Sequence, residues 1–261
     1  MAISYISINK FGKAVENISI AEILSKIIDT NVTGVLKRFP PTCPNFSGAD
    51  GVRTIKVSDL EPFEVLCGSN LFGAGWMVIQ KRIDGNLNFF RNWTEYTLGF
   101  GNISHEFFIG LKKLHSITLL QQHELFVYME DFEGGWRYAL YDDFEIGNEG
   151  EFYALKKLGH YSGNAGDSLV YSRTAKFSTY DKDNDDYTES CAIKFMGAGW
   201  FKKCMQTNLN GLYLNGNYSS ESGMKAKGVY WHHWHGSYYS LKTLSMMIRP
   251  KKTCPFFDGQ P

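Results

Sequence analysis

Apolar positions along this chain follow two different rhythms. Near the N-terminus, Ile20, Ile23, Leu24, Ile27 and Ile28 recur at helical spacing, and Ser19 with Glu22 three residues on makes a capping box. The pattern predicts a short amphipathic helix of about ten residues. That is less than the three or four heptads that establish a coiled coil. The helix reads either as a contact for a homo-oligomer or as a segment that docks or frays. Phe39-Pro40-Pro41-Thr42 then punctuates as a linker. From Cys43 onward, short strands and turns take over. Gly75–Lys81 (GWMVIQK) alternates and is rich in strand formers, and Leu125–Glu130 (LFVYME) is a second strand. The stretch 106–122 mixes periods and predicts a helix around Ile109–Leu114. Beyond residue 158, Gly, Asn, Asp, Ser and Tyr dominate, which predicts an irregular C-terminal lobe, the kind of region where binding sites collect.

Composition narrows the classes. The 261 residues are 43% hydrophobic, enough for a sizeable core, and 15% aromatic with 26 glycines, which suits a turn-rich fold more than a helical bundle. The formal net charge is zero, so nothing demands nucleic acid or an anionic membrane as partner. No run approaches the ~20 apolar residues that span a bilayer. Five cysteines, at 43, 67, 191, 204 and 254, lack any C-x-x-C spacing and are compatible with two local disulfides and one odd thiol. Sequons at Asn17, Asn31, Asn45, Asn92, Asn102 and Asn217 favour a secretory, extracellular route with glycosylation. Against this, Ser4, Ser7, Asn9 and Lys10 interrupt the first residues, so no signal peptide is visible.

A resemblance then organises these fragments. The block Gly73–Gly85 (GAGWMVIQKRIDG), the run Asn88–Trp93 with Tyr96–Gly101 (YTLGFG), and His105–Gly110 (HEFFIG) resemble consecutive motifs of fibrinogen-related domains. Glu130-Asp131-Phe132, Tyr138–Asp142, Tyr161–Leu169 (YSGNAGDSL), Phe177–Asp185 (FSTYDKDND), Asn208–Gly211 and Ile248-Arg249-Pro250 continue the series in order over about 200 residues. His105 and Phe108 depart from it, standing where Gly and Trp are usual. The resemblance implies an α+β fold: a small N-terminal subdomain, a central twisted antiparallel sheet with flanking helices, and a loop-rich, calcium-binding C-terminal subdomain. It divides the protein into an extension over 1–42, the domain over 43–250 and a tail over 251–261. It also implies disulfides Cys43–Cys67 and Cys191–Cys204. That leaves Cys254 as an interchain bridge or a free thiol.

Asp181, Asp183, Asp185 and Asp186 crowd four carboxylates into six residues. Such a run reads either as a solvated acidic loop or as oxygen donors for a hard cation. An EF-hand does not fit, because Asp186 stands where its glycine is needed and Ala192 where its final glutamate is needed. The resemblance selects a calcium site instead, with side chains from Asp183 and Asp185 and backbone carbonyls from Tyr187 and Glu189.

In the ficolin and tachylectin branch of that family, acetylated sugars bind beside the calcium. The same pattern here implies a pocket of Phe195, Lys203, Cys204, Met205, Asn208 and Tyr238, with a cis peptide at Lys203–Cys204. Met205 departs from the lectin pattern, which usually has His there, and removes one hydrogen-bond donor while keeping an adaptable apolar wall. Ser237 stands where some members carry Tyr, with Tyr238 adjacent. Trp231-His232-His233-Trp234-His235 reads as packing tryptophans with a surface loop that responds to mild acid, in preference to a metal site. No G-x-S-x-G is present, and His105-Glu106 and His123-Glu124 lack the second His of a zinc protease, so an enzyme is not expected. Two functions remain: a lectin-like protein of innate pattern recognition that binds acetylated glycans, or an angiopoietin-like or tenascin-like head that binds an extracellular protein.

Overall fold

The computed structural model describes residues 40–251 apart from 46, 47, 49, 59, 71 and 72. The expected helix over 19–28, the sequons at Asn17 and Asn31, and Cys254 lie outside the described residues.

The described residues run β1 (Gly51–Ile55), β2 (Phe63–Asn70), β3 (Gly73–Arg82), α1 (Trp93–Leu98), β4 (Phe100–Gly101), β5 (Phe107–Phe108), α2 (Leu111–Leu120), β6 (His123–Glu130) and β7 (Trp136–Ile146). The order continues with β8 (Leu155–Leu158), β9 (Tyr161–Gly163), β10 (Phe177–Ser178), α3 (Cys191–Lys194), β11 (Gly199–Trp200) and β12 (Thr207–Asn208). Then come β13 (Gly216–Asn217), β14 (Tyr230–Trp231), α4 (His232–His235), β15 (Tyr239–Ser240) and β16 (Thr243–Pro250). The main sheet has the order β1-β2-β3-β16-β6-β7-β8, with β5 beside β3 and β9 beside β7. Its pairings are antiparallel. The architecture is therefore α+β, mostly antiparallel sheet with a few short helices.

Why these strands form is visible in what they bury. In β3 the run from Gly75 to Gln80 is buried without interruption, and Trp76 and Ile79 are fully enclosed. A strand covered on both faces reads as a continuous apolar run and not as a strict alternation. β16, the last strand in sequence, inserts between β3 and β6. It sets Met246 opposite Val127 and Ile248 opposite Leu125. The sheet is thus closed by a pairing more than a hundred residues apart in sequence.

Helix α2 begins two residues later than the sequence pattern predicts and runs on to Leu120. The reason is a backbone crossing. Gly110, with φ 105°, caps the helix, and a Cβ there would lie 2.7 Å from the carbonyl carbon of Leu98. Reciprocally, Gly99 has φ 93°, and its Cβ would lie 2.5 Å from the Ile109 oxygen. The end of α1 and the start of α2 touch main chain to main chain, and glycine alone tolerates both the φ and the contact. Leu111, Leu114 and Ile117 then bury one helical face.

The C-terminal lobe, from about residue 159 to β15, contains only two- and three-residue strands. Two buried side chains of β3 reach into it. Gln80 Nε2 donates to the Leu209 oxygen at 2.8 Å and to Asn210 Oδ1 at 2.9 Å. Arg82 Nη1 donates to the oxygens of Leu209 at 3.2 Å and Gly211 at 3.0 Å. Arg82 also faces Glu106 at 3.8 Å, each side chain 2% exposed or less. Glu106 in turn accepts from the N–H groups of Ile83, Asp84, Gly85 and Leu87. Burial lowers the Arg82 pKa to about 10, with Glu106 opposing the shift.

Candidate cation loop and binding cleft

The acidic loop follows β10 and ends at α3. Its four aspartates do not share one task. Asp181 Oδ1 accepts from Trp93 N, at the first turn of α1, at 2.9 Å and from Thr179 Oγ1 at 2.7 Å. This carboxylate is engaged in holding the loop against the helix start, where negative charge is favoured. Lys182 turns away over the rings of Trp93 and Phe152. Asn184 ties the loop back to β10 through Ser178 Oγ and the Phe177 oxygen. Asp183 and Asp185 are left beside one another. Asp183 Oδ1 accepts from Asp185 N at 3.2 Å, and Asp185 accepts from Tyr187 N and Cys191 N, both at 2.9 Å. Partial burial raises the Asp185 pKa, and the neighbouring Asp183 adds to the rise against the two N–H donors.

Among the described residues no Lys, Arg or His side chain forms an ion pair with Asp183 or Asp185; the adjacent Lys182 lies over aromatic rings, and Lys194 pairs with Glu189. Likewise, the carbonyls of Tyr187 and Glu189 accept no hydrogen bond among the described residues. Two facing carboxylates without a basic partner, next to two unused carbonyls, form an all-oxygen donor set. That set suits a hard divalent cation such as calcium better than a transition metal.

The loop runs straight into a cleft of about 570 Å³. One wall is Phe195, Cys204 and Met205; Tyr230 lies at the base; Ala226 and Ser237 face them. Tyr187, Lys194, Lys203, Lys225 and Lys227 stand around these. The Cys191–Cys204 disulfide joins α3 to the first wall, and the Lys203–Cys204 peptide is cis. The peptide N–H groups of Cys204 and Met205 donate no hydrogen bond among the described residues. Tyr230, 1% exposed, donates its hydroxyl to the Met205 oxygen at 3.0 Å, and burial pushes its pKa up.

Two expected pocket residues sit elsewhere. Asn208 is fully buried and does not line the cleft. Its Nδ2 donates to the Phe195 oxygen at 3.0 Å and the Ala226 oxygen at 3.2 Å, so it ties opposite walls together from beneath. Tyr238 is also absent from the lining. Its carbonyl accepts from Tyr218 N and its ring packs edge-on against Tyr218, which leaves Ser237 facing the cleft. The tyrosine that does reach the cleft is Tyr230, which the sequence pattern did not single out. Its signal was the buried YW pair of β14, opposite Thr207 and Asn208 in β12.

The other candidate residues have separate places. Cys43 and Cys67 form a disulfide on β2. In α4, His233 meets Ser168 Oγ, His235 meets Asp131 and stacks on Tyr239, and His232 meets Ser237. They diverge to three partners and, among the described residues, form no metal cluster. Asn45, Asn102 and Asn217 are exposed. Asn92 is half-buried and serves as the N-cap of α1, in a capping box with Glu95.

With this geometry in place, comparison with known proteins decides the family. The family profile for the globular domain at the C-terminus of the fibrinogen beta and gamma chains matches residues 44–251. This protein belongs to the fibrinogen C-terminal domain family. Microfibril-associated glycoprotein 4 from Bos taurus is 44% identical over 207 residues, covering 77% of this chain and 80% of that one. Tenascin from Gallus gallus is 40% identical over 234 residues, covering 87% of this chain and 12% of the tenascin. Among solved structures, the fibrinogen-like globe domain of human ANGPTL2 superposes with a TM-score of 0.74 at 40% identity, over 78% of this chain and 93% of that one. The relatives are thus extracellular proteins of the microfibril-associated, tenascin and fibrinogen-like kinds. Among the described residues no helix is long and apolar enough to cross a membrane.

Proposed function

We propose that the protein is a secreted, calcium-dependent recognition domain whose cleft captures acetylated carbohydrate. The observation that carries this reading is the pair of unpaired N–H groups at Cys204 and Met205 beside Phe195 and Tyr230. An acetamido group has one carbonyl acceptor and one methyl, which match two donors and an apolar wall. The missing imidazole at Met205 leaves the carbonyl with backbone donors alone, so affinity for a single sugar is modest.

Asp183 and Asp185 would hold calcium with the carbonyls of Tyr187 and Glu189. The ion would supply the positive charge that the two facing carboxylates lack. The protein's own part is mechanical. Asp185 Oδ2 accepts from Cys191 N, and Cys191 is bonded to Cys204 on the cleft wall. A loop held in place therefore holds the wall. The test is a glycan array with calcium and with chelator, beside thermal melts of the wild type and Asp183→Ala. Acetylated sugars should bind in calcium only, and Asp183→Ala should lower Tm in calcium only. Equal destabilisation in chelator would remove the ion from the reading, and loss of acetyl preference would remove the sugar.

A second reading, a protein partner, draws on the rim. Ile193 is 58% exposed and Tyr187 40% exposed beside the cleft, an apolar edge that a sugar does not need. Silence on the array with retained binding to a matrix protein would select it.

A further inference from the structure

The cleft has a feature that acetyl recognition leaves unused. Among the described residues four lysines line it, and no Asp or Glu does. The protein as a whole is neutral, so this concentration is local. Lys194 is compensated by Glu189 at 2.6 Å. Lys203, Lys225 and Lys227 form no ion pair among the described residues.

Their backbones are held. Ala226, between Lys225 and Lys227, has a left-handed φ of 59°. Its N–H donates to the Ser237 oxygen at 2.8 Å, and its carbonyl accepts from buried Asn208. The Lys203 carbonyl accepts from the Tyr171 hydroxyl at 3.3 Å on the other side. The three side chains therefore spring from held backbone along one concave site, with the Lys225 ammonium 5.8 Å over the Tyr238 ring at its edge, and charge without an ion-pair partner in a cleft attracts an opposite charge.

Resting on the acetyl reading above, we propose that the preferred ligand is an anionic acetylated saccharide, with Lys203, Lys225 and Lys227 forming a subsite for its sulfate or carboxylate. A concave site lined by residues whose N–H groups donate no hydrogen bond among the described residues favours a compact sugar over an extended acidic peptide.

Four probes separate the two claims: glucose, glucose 6-sulfate, N-acetylglucosamine and N-acetylglucosamine 6-sulfate, titrated calorimetrically onto the calcium-loaded full-length protein. The sulfate contrast tests the lysine subsite, and the acetyl contrast tests the acetyl reading. N-acetylglucosamine 6-sulfate should bind about tenfold more tightly than its neutral parent, equivalent to about 1.4 kcal/mol. Raising the salt from about 10 mM to about 500 mM should erase the advantage, because screening shortens to a few ångströms. In a Lys225→Gln/Lys227→Gln variant, whose changes fall on side chains without ion pairs, the ratio of sulfated to neutral affinity should fall to about twofold or less. A ratio near one in the wild type, no detectable binding of any probe, or an unchanged ratio in the variant would each overturn the subsite. So would polyglutamate competing as well as the sulfated sugar. A sulfate preference without an acetyl preference would leave the subsite standing and sink the acetyl reading alone.

Discussion

The main sheet and the C-terminal lobe are held by different forces. Strands β2, β3, β6, β7 and β16 are eight to eleven residues long, and their ladders satisfy the backbone while apolar side chains fill the core. In the lobe, β12, β13, β14 and β15 are two residues each. Most of its backbone groups need other partners. They find them in turn and loop backbone bonds, such as Leu212 N to the Lys227 oxygen and Ala226 N to the Ser237 oxygen, and in side chains: Gln80 and Arg82 from the sheet, Asn208 and Asn210 from within. The lesson is that a polar deletion should hurt the lobe as a large-to-small apolar deletion hurts the sheet.

The sharpest challenge to that contrast is Arg82→Leu. It leaves Glu106 buried without its cation and strips donors from Leu209 and Gly211, so urea denaturation should show a loss of about 3–5 kcal/mol. A loss under about 1 kcal/mol would mean that the lobe does not depend on this anchor. Next in size is Asn208→Ala, expected to cost about 1–3 kcal/mol. Here hydrogen exchange discriminates better than stability. Amides near Phe195 and Ala226 should lose protection while those of β3 and β16 keep it. Uniform loss across both regions would collapse the distinction.

The smallest effect lies in the sheet. His123, 1% exposed, gives its Nδ1–H to the Gln121 oxygen at 2.8 Å and leaves Nε2 buried without a hydrogen bond. Burial lowers its pKa from the ordinary 6.5, and the Gln121 bond only partly opposes this. The unfolded state therefore binds the proton more readily than the fold does. The contribution to stability is intact above 6.5 and is lost as pH falls from there toward the depressed folded value. Urea midpoints at pH 7.5 and 5.5 should differ less in His123→Phe than in the wild type. An unchanged difference would assign the acid sensitivity to other groups.

Much of the sheet was legible in the sequence. Gly75–Lys81 is strand-forming by residue type, and the structure only lengthens it to Gly73–Arg82. The polar residues inside it were the less readable part. Gln80 and Arg82 are buried although polar, and their partners lie about 130 residues away, beyond any local pattern. The bounds of helix α2 are hard to read for a similar reason. Its start is set by contact with the end of α1, and its last turn carries exposed Leu119 and Leu120, which blur an amphipathic period.

The acidic loop shows the same division most clearly. Composition and spacing by themselves determined that four carboxylates lie close together, and the surrounding motifs determined the family and the two local disulfides. Covalent neighbours and residue types are properties of the string. The resemblance singled out Asp183 and Asp185, and the tertiary structure supplies the physical reason, because Asp181 is claimed by Trp93 N, 88 residues earlier. That contact leaves Asp183 and Asp185 facing each other, and it could not be read from spacing. The same holds for the cleft. The sequence placed Asn208 and Tyr238 in it, while folding set Asn208 beneath it as a tie and brought Tyr230 to its base. A side chain's task depends on which distant atoms reach it, and only the packed molecule supplies those.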